Sequence, residues 1–457
     1  MHMLVEETNR YAGQTCRRKW KKLTTDELRA YLGVLILMSV NPRHQLYHYW
    51  SCDGLLNAPE ISRVMSFKRF QSIMNCLHMS DNSKTKKNGE DGFDRLAKVR
   101  PLLDALNTSF QREYTPSAHQ AVDECMIRFK GRSSIKQFQP MKPIKRGYKV
   151  WARADSETGY LLRFEVYEGK NAKRPANKTL GEHVVLSLSE EMEAGSQLYF
   201  DNYFTSTRLM EDLADRAILA VGTVRTNRKD LPEELKRNNK LQKGEFLWRT
   251  RGKVTAYQWH DTKDVHVLSN FHDPSDTTEI ERRLSNGSSI GVVCPKAIAD
   301  YNRWMGAVDR FDQRRISYPV DRRSKKWWYR IFYFLFDAAP VNAFLQIKAH
   351  SEITFLWFRL VLGRQLINGN TFRHTQSVGP FRTNKKGARN GQKMVGVCDE
   401  LRFRGKGHNP LKVPKRRRCR WCSTAGHEVR TSFVCKACVI PLCATCFGPF
   451  HTENSTT

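Results

Sequence analysis

Two hydrophobic rhythms divide this chain. Through roughly the first hundred residues, apolar positions recur at the spacing of helices that bury one face. Thr24-Thr25-Asp26-Glu27 opens one such stretch, with acids in its first turn. Ser66 before Phe67-Lys68-Arg69-Phe70 opens another that runs to about His78, and residues 83–92 are polar and read as a loop. From about Ala118 the period changes. Ala121 to Lys130, Gly147 to Ala154 and Tyr160 to Tyr167 read as strands, the last two separated by the turn-rich Asp155-Ser156-Glu157-Thr158-Gly159. Thr179 to Ala194 reads as a helix, Gln197 to Phe200 as a short strand, Thr205 to Arg216 as an amphipathic helix and Ile218 to Val224 as a strand. Three antiparallel strands followed by alternating helix and strand is the order of an RNase H-like α/β core.

This pattern divides the chain into a helical part (1–116), a first core part (117–225) and a β-containing insertion (226–290). The insertion has strand-like pieces at Val254 to His260 and Val265 to Phe271. A core helix from Pro295 to Arg315 follows, within a segment spanning 291–315. Next come a second helical part (316–370), a polar basic linker (371–414) and a cysteine-rich module (415–457). The fold class predicted is an RNase H-like α/β core with an inserted β-containing subdomain, a flanking α-helical domain and a C-terminal zinc module.

Charge changes the picture. Lys and Arg number 77 against 46 Asp and Glu, a net +31, which points to a polyanionic partner. Apolar residues at 40% and aromatics at 11% exclude a disordered chain. The longest strongly apolar run, Ala30 to Val40, is too short to span a bilayer, and no charged-then-apolar signal segment opens the chain. The expectation is a soluble, intracellular protein that binds nucleic acid, with no membrane partner.

Three acidic positions carry candidate chemistry. Asp123 shares strand register with Cys125, Ile127 and Phe129, a face where a carboxylate is costly unless paired or metal-bound. Asp201 ends its strand just before a turn. Asp309 and Asp312 lie one helical turn apart. Convergent carboxylates hold hard divalent ions such as Mg²⁺ for phosphodiester chemistry. Each aspartate read singly is as well explained by a turn, a cap or, for Asp312 among its arginines, an ion pair. Arg314, Arg315, Arg322, Arg323, Lys325 and Lys326 follow the third acid, interleaved with Trp327 and Trp328, and suit a DNA backbone; the rings themselves read better as core of the next helix. Arg416, Arg417 and Arg418 form a second basic run, which reads equally as an import signal, a phosphate clamp or a solvated linker.

The tail reads Cys419-x₂-Cys422, Cys435-x₂-Cys438, Cys443-x₂-Cys446, then His451. Three CxxC pairs in one short segment are a strong zinc signal. With His427 or His408 as the eighth ligand they suffice for two structural Zn²⁺ ions. A cross-braced pairing is expected: Cys419 and Cys422 with Cys443 and Cys446, and Cys435 and Cys438 with His451 and a second histidine. Protein recognition by such a module is the alternative to DNA recognition.

Taken together, several segments resemble those of piggyBac-type transposases. They are Glu7-Thr8-Asn9-Arg10-Tyr11-Ala12, Leu77-His78-Met79-Ser80-Asp81-Asn82, Val122-Asp123-Glu124, Arg128-Phe129-Lys130-Gly131-Arg132, Lys142-Pro143 with Gly147-Tyr148-Lys149, Asp201-Asn202-Tyr203-Phe204-Thr205-Ser206, and Tyr301-Asn302 through Gly306-Ala307-Val308-Asp309 to Asp312-Gln313. The resemblance spans nearly the whole chain. It implies that Asp123, Asp201, Asp309 and Asp312 are catalytic, the first three holding two Mg²⁺ (or Mn²⁺) ions and Asp312 being the fourth acid of the pattern. It further implies a nuclear, homodimeric enzyme that cuts and pastes double-stranded DNA between terminal repeats and TTAA targets, with the cysteine-rich module reading transposon ends. Members of this family usually carry an additional, often acidic segment before the Glu7 motif, on which this chain opens almost directly. A domesticated DNA-binding derivative without cleavage is the alternative.

Overall fold

The computed structural model describes residues 1–15, 20–169, 175, 177–236, 239–285, 287–322, 324, 326–370, 407–423 and 427–452. They form two units. The first comprises Met1–Thr25, Leu35–Val40 and Cys76–Gly363; the second comprises Asp26–Val34, Asn41–Asn75 and the chain from Arg364 on.

The N-terminal helices are α1 (His2–Gln14), α2 (Thr25–Val40), α3 (Pro59–Ser62), α4 (Phe67–Cys76) and α5 (Arg100–Arg112). Asn9 locks the α1–α2 connection: its Oδ1 accepts from the Leu23 amide at 2.8 Å and from Trp20 Nε1 at 3.0 Å. The strands are β1 (His119–Arg128), β2 (Gln137–Phe138), β3 (Arg146–Asp155) and β4 (Leu161–Val166). After α6 (Leu180–Leu188), β5 (Gln197–Phe200), α7 (Thr207–Asp215) and β6 (Leu219–Thr223), the central sheet runs β4-β3-β1-β5-β6. Its first three strands are antiparallel, and β1, β5 and β6 are parallel. That is the RNase H-like order read from the sequence.

Each flank of the sheet has a physical basis. Val122 and Trp151 of the sheet, Val184, Val185 and Leu188 of α6, and Leu209 and Leu213 of α7 form one dry cluster. Thr179 caps α6 in a capping box with Glu182. On the β4 flank, Asn107 of α5 bonds both the amide and the carbonyl of Phe164, at 3.0 Å each. Residues 76–116, placed with the helical part by sequence, therefore belong with the sheet.

The inserted segment differs from expectation in one respect. After α8 (Glu233–Lys236), strands β7 (Phe246–Arg251), β8 (Val254–His260) and β9 (Asp264–Ser269) extend the core sheet in the order β6-β9-β8-β7. β9 finds an open edge on β6, with Val221 opposite Ser269. Only β10 (Thr277–Arg283) and β11 (Ser289–Pro295) stand apart, as a separate hairpin. The single helix expected over Pro295 to Arg315 is two, α9 (Lys296–Trp304) and α10 (Ala307–Ser317), interrupted at Met305-Gly306. The long helix α11 (Trp327–Lys348) and α12 (Phe355–Ile367) follow. In α11, Phe334 meets Phe311 and Phe164 edge-on, each at 6.3 Å, so α10 and α11 share a core with β4. Trp328 is buried, as its core reading required.

Candidate metal centre and zinc module

The site begins with a strand register. Val122 of β1 lies opposite Phe200 of β5 in parallel pairing, so the next step along both strands is Asp123 and Asp201. β5 ends there. The Asp201 carboxylate accepts the Tyr203 amide at 2.7 Å, and its carbonyl accepts Thr205 Oγ1 at 2.8 Å, turning the chain into α7. Gly222 on β6 permits this turn: a Cβ there would lie 2.4 Å from Thr205 Oγ1. Asp309 comes from the first turn of α10, which packs on β1 and β3.

Asp123 senses the other two carboxylates. Burial pushes Asp123 up to about 7, and the charges of Asp201 and Asp309 add to that rise. Asp201 is raised as well, by burial first and then by Glu124. All donors are oxygens carried on separate, rigid elements, and the excess negative charge is partly desolvated. This set fits a hard divalent cation, which would relieve the repulsion.

Asp312 occupies a different environment. Its Oδ1 accepts from Arg315 Nε at 2.9 Å and from Nη2 at 2.5 Å. Arg315 is 7% exposed and lies over the Phe334 ring at 4.8 Å. The placement of Arg315 on a DNA-facing surface is therefore corrected. The helical stripe Val308, Phe311, Arg315 was the signal: these positions share the buried face of α10. Arg314 is also engaged, donating to the Thr158 carbonyl at 2.8 Å across the β3–β4 turn. Lys326 lies 5.4 Å from the ring centres of Tyr11 and Tyr329. Arg322 gives its carbonyl to Arg330 Nη1 at 3.0 Å. Arg323 and Lys325 fall outside the described residues.

The sequence reading assigned no role to a third group. Glu124 pairs with the buried Lys149 and, at 3.5 Å, with Lys142. Lys149 also lies 4.3 Å from the ring centre of Tyr203, two residues beyond Asp201. A lone lysine inside the apolar Tyr148-Lys149-Val150-Trp151 was the available clue. Lys142 and Glu124 line a cavity of about 440 Å³ with Asp309, Asp312, Arg315 and Asp337.

In the second unit, β12 (Pro410–Arg418) pairs with β13 (Arg430–Cys435), and α13 (Ala444–Thr452) follows. Residues 415–418 therefore belong to a strand of the module, whose first described ligand-type residue is His408; residues 407–414, taken as linker end by sequence, belong here too. Cys419, Cys422, Cys443 and Cys446 gather their sulfurs within 4.8 Å of one another, and the ring nitrogens of His408 and His451 gather likewise with the sulfurs of Cys435 and Cys438. Cys422 and Cys443 sulfurs stand 3.7 Å apart, close to the edge of about 3.8 Å of a tetrahedron with Zn–S bonds of about 2.3 Å. His408 Nδ1 and His451 Nε2 each lie 3.4 Å from Cys438 Sγ. His451 Nδ1 is held 2.6 Å from the Phe447 carbonyl, which leaves Nε2 facing the cluster. The eighth position is filled by His408; His427 is not in either group. These six cysteines are free thiols, and both donor sets suit Zn²⁺. Amide donors from Cys443 to Cys419 Sγ (3.3 Å) and from Cys438 to Cys435 Sγ (3.4 Å) orient the thiolates.

A mixed sheet with one aspartate within its central strand and a second just past the end of the neighbouring strand, a third on an overlying helix, and a Cys/His module is the architecture of a DDE-type transposase. Residues 1–344 match the family model described as Transposase IS4, and residues 405–452 match a DDE_Tnp_1-like zinc finger. The chain is 30% identical to human PiggyBac transposable element-derived protein 3, over 99% of this chain and 74% of that protein. It is 28% identical to human PiggyBac transposable element-derived protein 2, over 92% and 70%. The fold matches a cryo-EM structure of a piggyBac transposase synaptic complex with hairpin DNA, with TM-score 0.71 at 22% identity, covering 97% of this chain and 92% of that one. The chain belongs to the piggyBac-type transposase family. Among the described residues no helix is long and apolar enough to cross a membrane.

Proposed function

We propose that this protein is a metal-dependent DNA transposase acting in the nucleus, as a homodimer, on double-stranded DNA with TTAA-flanked terminal repeats. The observation that carries the reading is the Asp123–Asp201 register with Asp309 above it. These three residues would hold two Mg²⁺ or Mn²⁺ ions. Such ions, when bound, sharpen a water or 3′-hydroxyl as nucleophile and steady the leaving oxygen. The reactions are successive in-line displacements at phosphorus. Water releases a 3′-hydroxyl at the transposon end, that hydroxyl attacks the opposite strand to give a hairpin and expel the flanking strand, a second water opens the hairpin to restore the 3′-hydroxyl, and that hydroxyl attacks target DNA, displacing a target 3′-oxygen. The strands and α10 keep the carboxylates fixed throughout, and Glu124 holds Lys149 against the Asp201 loop. Asp312 acts through Arg315, bracing α10 beneath Asp309. In the module, two structural Zn²⁺ ions would pin β12 and β13, and exposed Arg416, Arg417 and Arg418 would meet transposon-end phosphates.

The test is incubation of the protein with Mg²⁺ and DNA carrying the TTAA-flanked inverted repeats that border its gene. Hairpinned ends from the wild type, with none from Asp201→Asn and unchanged DNA binding by both, support the reading. Binding without cleavage by the wild type supports a DNA-binding derivative instead. A fully active Asp201→Asn protein overturns the site.

A further inference from the structure

Lys142 pairs with an acid of the cavity lining. It sits in the loop between β2 and β3, its amide donating to the Gln139 carbonyl at 3.3 Å, and its side chain is 36% exposed. From there its ammonium reaches back over the site, 3.5 Å from Glu124. It lines the same cavity as Glu124 and Asp309. Lys149 differs in being buried at 5% exposure and fixed between Glu124 and the Tyr203 ring. Glu124 is thus already neutralised by an immobile partner, and the charge of Lys142 is available to the aspartates. Four carboxylates (Asp123, Glu124, Asp201, Asp309) against two ammoniums leave two negative charges. Only one of those ammoniums stands on a loop that can withdraw it.

We propose that Lys142 is a resident counter-ion of the aspartate triad, holding the acids together before a divalent cation binds and giving way to that cation when it arrives. The released ammonium then faces the cavity mouth, where an incoming DNA phosphate offers it a new partner. The inference rests on the reading of the triad as a metal site.

Mn²⁺ titration by calorimetry of the full-length protein without DNA, paired with thermal melts with and without Mn²⁺, tests it. Asp201→Asn supplies the background from other sites. Lys142→Met is expected to bind Mn²⁺ roughly tenfold more tightly than wild type, since one competing charge a few ångströms away is gone. It should also melt lower than wild type without metal and gain more from Mn²⁺. Lys142→Arg, which keeps the charge, should stay near wild type in both readouts and guards against a simple folding effect. Equal or weaker Mn²⁺ binding by Lys142→Met overturns the proposal while leaving the triad intact. Identical titrations of wild type and Asp201→Asn overturn the triad reading and the proposal with it.

Discussion

Asp312 accepts both hydrogen bonds of its contact with Arg315 on one oxygen, Oδ1, one helical turn along α10. The cation is thereby spent inside the protein, between a carboxylate and the Phe334 ring. Arg315→Met should destabilise the fold by about 3–5 kcal/mol, the usual result of orphaning one member of a buried pair, measured by urea denaturation. The salt dependence of DNA binding by the folded variant should match wild type. A shallower salt slope would return Arg315 to the DNA surface.

Buried histidine makes the first unit acid-sensitive. His78 stacks on Tyr11 with centroids 3.5 Å apart and meets Trp328 edge-on at 5.1 Å. Burial lowers its pKa to about 4; Lys326 and Lys98 push in the same direction, against a hydrogen bond to the Cys76 carbonyl. The unfolded chain therefore binds this proton between about pH 6.5 and 4 while the native state does not. Stability from this group is full above pH 6.5, falls as pH drops toward 4, and is level below. The slope is at most about 1.4 kcal/mol per pH unit. His78→Phe should flatten that segment of the stability–pH curve, at some cost in overall stability for the lost hydrogen bond to the Cys76 carbonyl. An unchanged slope would locate the acid sensitivity elsewhere.

A single methyl group should disrupt the sheet at Gly147. A Cβ there would stand 1.9 Å from the Ile127 carbonyl oxygen, on the strand pair that carries Asp123 and Lys149. The neighbour is backbone and cannot rotate away. Gly147→Ala is expected to cost about 3 kcal/mol or more, with a matching fall in melting temperature. A cost under about 1 kcal/mol would mean that β1 and β3 separate more easily than their register indicates.

Zinc content should follow the two clusters independently. Native mass spectrometry is expected to find two Zn²⁺ per wild-type chain and one each for Cys422→Ser and Cys438→Ser. His408→Ala should weaken the Cys435–Cys438 site, whereas His427→Ala should leave both occupied. Chelation should open β12 and β13 to protease, since so small a module has little apolar core besides its ligands.

Much of this was legible in the chain. The strand patterns of β1, β3 and β4, the helix α7, the start of α6 (which ends at Leu188, short of the expected Ala194) and the three aspartates stand where period and turn chemistry put them. What escaped was set by pairing between distant segments. Nothing local to Val265–Phe271 says that it pairs with β6 rather than only with its own hairpin neighbour. The break at Met305-Gly306 divides an otherwise continuous helical pattern, and a glycine within such a pattern is commonly tolerated. The choice of His408 over His427 depends on which residue the β12–β13 ribbon brings round. Arg315 was the exception: its stripe with Val308 and Phe311 was visible, but its charge argued for solvent.

The register that joins Asp123 to Asp201 has a consequence for how this family can diverge. Hydrogen bonding holds neighbouring strands about 4.8 Å apart whatever their side chains. The gap between two of the acids is therefore a property of the peptide ladder, inherited unchanged when core residues are exchanged or helices slide. A chain that matches a solved fold at only 22% identity keeps such a ladder while most of its side chains differ.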